Sequence, residues 1–309
     1  MRRGGRTLNF KKTILKILLF LLLCTPAWSI HFSDSLMKPP LGRVPYWPAF
    51  EQPIFLGLFT EGAGSRVNDL SGNRKDGTLT NGPTWDVGKY GSAIRLSGSE
   101  VTEDHIDIGD YSLYEFGDAV NDRPFTFIVG YIPDSTTVEH PLVVKADTTV
   151  DGVLEYSFAL RVDSGLEPYI QLFDAAATKR LRRYGTPISN PTSFHQFAAT
   201  YDGSKAAAGI ILYVDGLVNV SSDESQLPYI AMHSTSAHLR IGANFYDHET
   251  YDEFADGRFE YVMIFNRALS NSEIAYLYRT NWPWFAPRNE WWGGITVTTA
   301  GGQIIIIMR

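Results

Sequence analysis

The sequence predicts an all-β protein, an antiparallel β-sandwich with one short C-terminal helix, and three observations carry that prediction. Short apolar runs recur with a period of two, clusters of Gly, Asn, Asp and Ser separate them, and one stretch alone has helical periodicity. Strands and helices do not alternate, which excludes a parallel sheet built from βαβ units. The chain of 309 residues is 44% apolar and 13% aromatic, enough for one large core, and sandwiches of about 200–250 residues commonly form a single domain.

Residues 1–29 stand apart from the rest. Arg2, Arg3, Arg6, Lys11, Lys12 and Lys16 precede the apolar run ILLFLLLC, and Ala27-Trp28-Ser29 supplies small residues at cleavage spacing, the pattern of a secretory signal peptide. The run is shorter than the ~20 residues of a spanning helix, so a secreted product is expected rather than a stable membrane span, unless Met37 is the true start. Cys24, the only cysteine, lies inside this leader, which leaves no disulfide, thiolate metal site or cysteine nucleophile beyond it. The leader holds six basic and no acidic residues, so its removal takes the formal charge from −7 to −13. A chain this acidic does not suit nucleic acid as a partner.

Residues 30–53 carry Pro39, Pro40, Pro45, Pro48 and Pro53; proline cannot donate to a ladder, so this is an extended linker. The first strand is expected at Ile54–Thr60, followed by a turn-rich loop through residue 85 and a glycine turn running into a strand over Gly88–Ser97. Further strands are expected at His105–Gly109, Phe125–Ile132, Pro141–Lys145, Leu154–Val162 and Pro168–Asp174. FHQFAATYDG and IILYVDG, within Phe194–Gly216, read as two strands and their turns, and Ala237–Ala243 and Arg258–Phe265 complete the set. The helix is Asn271–Arg279. Ser270 and Glu273 form a capping box, and Ile274, Leu277 and Tyr278 share one face. The domain therefore runs over 54–280. The tail 281–309 holds Trp282, Trp284, Trp291 and Trp292 and ends in an apolar IIII run, which is either a cover for a sandwich edge or a segment for self-association through strand addition.

Four motifs in order resemble one family. EGAG with DLSGNRKDG, then GKYGSAIRLS, then ATYDG followed by LYVDG, and finally NRALSNSEIAYLY are similar to the signatures of laminin G-like domains of the bacterial and phage type. The resemblance covers roughly residues 54–280 and implies a concanavalin A-like jelly roll. Phe194-His195 stands where the family usually has Trp-His, and Glu260 where the last strand usually has Asp.

The resemblance also implies calcium. Hard cations collect carboxylate and carbonyl oxygens held by turns. The opening loop offers Asp69, Asn73 and Asp76, while YDHETYDEFADGRFE offers Asp247, Glu249, Asp252, Glu253, Asp256 and Glu260. If the first and last strands are neighbours, Asp69, Asp256 and Glu260 are the expected ligands. Zinc is not expected, because the histidines show no i, i+4 pair or HExxH. Nor is glycoside hydrolysis, because no strand carries alternating carboxylates of the E-x-D-x-x-E kind.

Lys179, Arg180, Arg182 and Arg183 are the one basic cluster. On a hairpin Arg180 and Arg182 share a face, which suits a solvated turn or a contact for sulfated or uronic-acid glycans. The expected function is an exported, non-catalytic binding or adhesion module for carbohydrate. Its ligand contacts would come from Tyr246 and His248 in the loop 246–256 and from Arg180 and Arg182 in a turn at 179–186. The alternatives are an assembly component that uses the tail, and a glycan-degrading enzyme.

Overall fold

A computed structural model describes residues 52–147, 153–163, 165–174, 179–245 and 253–280, together with the strands Thr296–Ala300 and Gln303–Ile307. In chain order the strands are β1 Phe55–Gly57, β2 Arg66–Val67, β3 Gly77–Thr80, β4 Thr84–Val87, β5 Ser92–Ser97, β6 His105–Gly109 and β7 Phe125–Pro133. Next come β8 His140–Asp147, β9 Val153–Val162, β10 Leu166–Phe173, β11 Arg180–Tyr184, β12 His195–Tyr201, β13 Ile210–Val214 and β14 Leu217–Val218. The remainder are β15 Ser222–Asp223, β16 Leu239–Ile241, β17 Ala243–Asn244, β18 Glu253–Phe254, β19 Asp256–Phe265, β20 Thr296–Ala300 and β21 Gln303–Ile307.

These build two large antiparallel sheets. One runs β14-β13-β12-β7-β19-β5-β4, with β1 also paired to β19; the other runs β15-β11-β10-β9-β8-β16-β6-β3-β2. Aromatic and branched residues of both sheets form the core between them: Phe127, Phe197 and Phe259 from the first, Ile106, Tyr156, Phe158 and Leu172 from the second. Phe125, Phe127 and Phe116 pack with ring centroids 4.5–5.9 Å apart, and a buried aromatic core of this size supplies the main driving force for closing the sandwich.

The helix α1, Asn271–Arg279, forms where the capping box places it. Ser270 Oγ accepts from the Glu273 N–H, and the Glu273 side chain accepts from the Ser270 N–H. Ile274 and Leu277 pack on the back of the first sheet with Tyr213, Tyr261 and Met263. This antiparallel sandwich with one short helix matches the expected fold class.

Several boundaries differ from the sequence reading. The first strand is three residues rather than seven. The stretch Ala237–Ala243 breaks at Gly242 (φ 88°) into β16 and β17. Residues 180–184 are a strand, not a turn, because β10 supplies a paired edge over five residues. The leader, the proline-rich linker and the Trp-rich part of the tail lie outside the described residues. No helix among the described residues is long and apolar enough to cross a membrane.

Candidate functional site

Alternation along β9, β10 and β11 assigns each side chain to a face. Tyr156, Phe158 and Leu160, Ile170 and Leu172, and Leu181 all point into the core. Their neighbours Ser157, Ala159 and Arg161, Glu167, Tyr169, Gln171 and Phe173, and Arg180, Arg182 and Tyr184 therefore share the opposite face. The register stacks them in rows across the strands: Arg182 opposite Gln171 and Gln171 opposite Ser157, with Tyr184 opposite Tyr169 and Tyr169 opposite Ala159. Ala159, Tyr169 and Tyr184 form their own small apolar cluster there. Alanine and serine on β9 leave room for the larger side chains of β10 beside them.

Cations lie on top of this aromatic base. The Arg161 guanidinium stands 3.9 Å from the centroid of the Tyr184 ring and is fixed by Glu167 Oε1, to which its Nε donates at 3.0 Å. Arg180 donates to Gln171 Oε1 at 3.0 Å and Arg182 Nε donates to the same oxygen at 2.9 Å. One neutral carbonyl thus holds two guanidinium groups side by side. Arg182 makes no salt bridge with a carboxylate among the described residues, whereas Arg161 is paired to both Glu167 and Asp163. Tyr169 lies beneath, donating to Glu139 Oε2 at 3.2 Å; burial raises its phenol well above the ordinary tyrosine value, and Glu253 and Glu139 push the same way. The face offers planar, forked donors over aromatic rings, an arrangement suited to carboxylate or sulfate oxygens on a flat ligand.

Arg180 and Arg182 therefore share a face, as expected, but on a strand rather than in a rim turn. Arg161, Gln171, Tyr169 and Tyr184 were missed. The polar alternation in LEYSFALRV and LEPYIQLF was the signal that could have found them. Tyr246 and His248 lie outside the described residues.

The three expected calcium ligands do not come together. The first and last strands are neighbours, since β1 pairs with β19, but register separates the carboxylates. Asp69 accepts from Leu56 N–H, and Leu56 is paired with Met263, seven residues along β19 from Asp256. At ~3.3 Å per residue that is roughly 20 Å. Asp69 is also fully engaged, its two oxygens accepting from Leu56, Ser71 and Lys75 N–H groups at 2.9–3.1 Å. Glu260, fully buried, accepts from the N–H groups of Lys89 and Tyr90 and closes the turn at 88–91; burial raises its carboxyl above the ordinary value. Asp256 lies near Asp134, which is clamped by Arg95 and Arg258. Carboxylates surrounded by N–H donors do not fit a cation, and no group of three or more His, Cys, Asp or Glu among the described residues is arranged to hold a metal. The role of Asp69 and Glu260 is to organise turns.

His140 and His195 have structural partners. His140 Nδ1 meets the Tyr131 hydroxyl at 2.8 Å and its Nε2 faces Ser135 O at 3.1 Å. His195 Nδ1 is 2.8 Å from Asp215 Oδ2, which raises the imidazole above its ordinary value. Glu155 on β9 and Glu115, in the segment between β6 and β7, are both buried, each 3.0 Å from the ammonium of Lys145.

Comparison with known proteins agrees with this architecture. No curated protein matches the sequence. Domain 4 of AbnA, a GH43 extracellular arabinanase from Geobacillus stearothermophilus solved with arabinotriose, superposes with a TM-score of 0.51 at 16% identity. The match covers 74% of this chain and all of that domain. The binding domain of Paraclostridial Mosquitocidal Protein 1 gives 0.51 at 18% identity, over 74% of this chain and 52% of the other. The botulinum neurotoxin serotype G binding domain gives 0.52 at 14%, over 73% and 50%. This chain spans about half the length of the two toxin domains, and at these identities the likeness is one of fold. The family model described as the concanavalin A-like lectin/glucanases superfamily matches residues 102–275, more than half of the sequence, and the chain belongs to that laminin G-like family.

Proposed function

We propose that this protein is an exported, non-catalytic glycan-binding module whose ligand lies across the outer face of β9, β10 and β11. The observation that carries the reading is the pair Arg180 and Arg182, both held on the neutral carbonyl of Gln171, beside the Arg161–Tyr184 stack. In a chain of net charge −7, guanidinium groups collected on one sheet face favour an anionic sugar, a uronate or a sulfated glycan. Charge-assisted hydrogen bonds to such oxygens contribute about 1.5–3 kcal/mol each. The non-catalytic part of the reading is supported by Glu115 and Glu155, which are buried and paired with Lys145 rather than open to a cleft. That the solved arabinanase domain holds an arabinotriose makes carbohydrate the natural ligand class to try.

Calorimetric titration of neutral, uronate-containing and sulfated oligosaccharides tests this directly. The anionic series is expected to bind and to weaken with salt, and Arg182→Ala to lose ten- to a hundredfold in affinity with an unchanged melting temperature. Equal binding of neutral and anionic sugars, or an Arg182→Ala variant that binds as well as the parent, removes the reading.

An assembly role is the second reading. It is favoured by the pairing of β20 with β21, in which Ile304–Ile307 lie in a two-stranded sheet; a hairpin of two strands is marginal in water and gains from a third.

A further inference from the structure

Lys145 is the most thoroughly surrounded charge among the described residues. Its side chain has no exposed surface. The ammonium lies 3.1 Å from Asp110 Oδ1, 3.0 Å from Glu115 Oε1 and 3.0 Å from Glu155 Oε1. It also donates to the main-chain carbonyls of Thr235 at 3.1 Å and Ala237 at 2.7 Å. An ammonium has three N–H donors, yet five oxygens stand within 3.1 Å of this one. Such an arrangement is closer to coordination of a cation than to a set of paired hydrogen bonds. Carboxylates mixed with main-chain carbonyls are the ligand set that hard cations collect.

The cage has more carboxyl groups than one lysine can partner. Three carboxylates face a single ammonium, and the second oxygens of Glu115 and Glu155 are buried with no hydrogen-bond partner. Glu115 is 8% exposed and Glu155 0%, so neither oxygen faces bulk solvent. Glu155 is also positioned by Thr235, whose N–H and hydroxyl donate to Oε1 at 2.7 and 2.5 Å. The cage joins the segment after β6, the strands β8 and β9, and the segment that leads into β16. These pieces are 30–92 residues apart along the chain except for the adjacent strands.

We propose that the Lys145 ammonium is a built-in cation, closing by a covalently attached charge a corner of the sandwich that a divalent ion would otherwise close, and that its removal leaves a calcium site. The sizes agree. The oxygens stand 2.7–3.1 Å from nitrogen, and a contraction of about 0.5 Å brings them to the 2.3–2.6 Å of calcium. The two unpartnered carboxylate oxygens raise the available set from five to about seven, within the 6–8 that calcium takes; magnesium, which demands a tight octahedron, fits worse.

The test is thermal unfolding of full-length protein, parent and Lys145→Ala, in EGTA, in excess CaCl2 and in excess MgCl2. Truncation leaves two buried carboxylates, Glu115 and Glu155, without their ammonium, so the midpoint of the variant in EGTA is expected to fall by roughly 6–20 °C. Calcium should restore most of that loss, magnesium much less, and the parent should respond to neither as strongly. The double variant Lys145→Ala/Glu155→Gln should lose the calcium response. Where Lys145→Ala does not fold in EGTA, the yield on refolding from urea with and without calcium gives the same information. A variant whose midpoint or refolding yield is indifferent to calcium overturns the proposal, as does a calcium response that survives Glu155→Gln.

Discussion

Lowering the pH from 7 to 4 should remove about 3 kcal/mol of stability through one buried imidazole. His140 is fully buried on β8. Its Nε2–H donates to Ser135 O, which leaves Nδ1 to accept from the Tyr131 hydroxyl at 2.8 Å and the Asp256 N–H at 3.3 Å. That pattern needs the neutral ring, and burial pushes its pKa down to about 4 from an ordinary value of 6.5. Because the folded value is depressed, the unfolded chain binds more protons between these limits. The stabilising contribution is complete above about pH 6.5, falls as the pH is lowered, and is exhausted near pH 4. At about 1.36 kcal/mol per pH unit the interval is worth roughly 3 kcal/mol. Other groups act in the same window. His195, raised by its hydrogen bond to Asp215, contributes stability that is full below the ordinary histidine value and is lost as pH rises through its folded pKa. Glu155, raised by burial, also favours the acidic side. The assay is therefore a difference: urea unfolding of the parent and of His140→Gln at half-unit steps from pH 7 to 4. The variant starts less stable, and the gap between the two should close by about 3 kcal/mol on acidification. A gap that stays constant refutes the neutral, buried imidazole.

Two further outcomes are expected. Gly88→Ala should destabilise by about 2–4 kcal/mol, because a Cβ there would stand 2.3 Å from Glu260 Oε1 and 2.6 Å from Oε2, forcing the buried carboxylate off the Lys89 and Tyr90 amides. In chemical unfolding its cost should not add to that of Glu260→Ala, and full additivity would show that the close approach is relieved elsewhere. If β20 and β21 recruit a third strand from another copy, the full-length chain should elute as an oligomer in size-exclusion chromatography and a chain ending at Thr280 as a monomer; identical elution of the two removes the assembly reading.

Local chemistry made parts of this fold readable from sequence. The helix could be placed to the residue because Ser270 and Glu273 satisfy each other's backbone, and β6 and β13 because their apolar alternation ends at glycine or aspartate turns. β3 and β4 were not legible. Each is only four residues long, and Gly77, Asp86 and the Asn81-Gly82-Pro83 turn between them outweigh the strand preference of their threonines. Their conformation is imposed by pairing with β6 and β5, a tertiary effect. β11 was hidden for the same reason: four basic residues in six suggest a solvated turn, and only the edge of β10 turns them into a ladder.

The two cation sites differ in what sequence can say about them. Arg180 and Arg182 are two residues apart, so strand periodicity alone puts them on one face. Gln171, which joins them, is 9 and 11 residues away and enters only through register. Lys145 gave no signal at all, since Asp110 is 35 residues away and Thr235 is 90. Yet physical chemistry links the two. A buried ammonium is tolerated only with compensating charge, so in this acidic chain Lys145 takes three carboxylates. Arg182, on the outer face, has a neutral amide partner, and water can meet the rest of its hydrogen-bonding capacity while no ligand is present. Folding therefore demands anions at the first site, whereas at the second Arg182 is held on the neutral carbonyl of Gln171. An incoming carboxylate or sulfate gains most at a guanidinium that has a neutral partner, as Arg182 has in Gln171, which is the physical ground for proposing the ligand over β10 and β11 rather than at the better-connected cluster around Lys145.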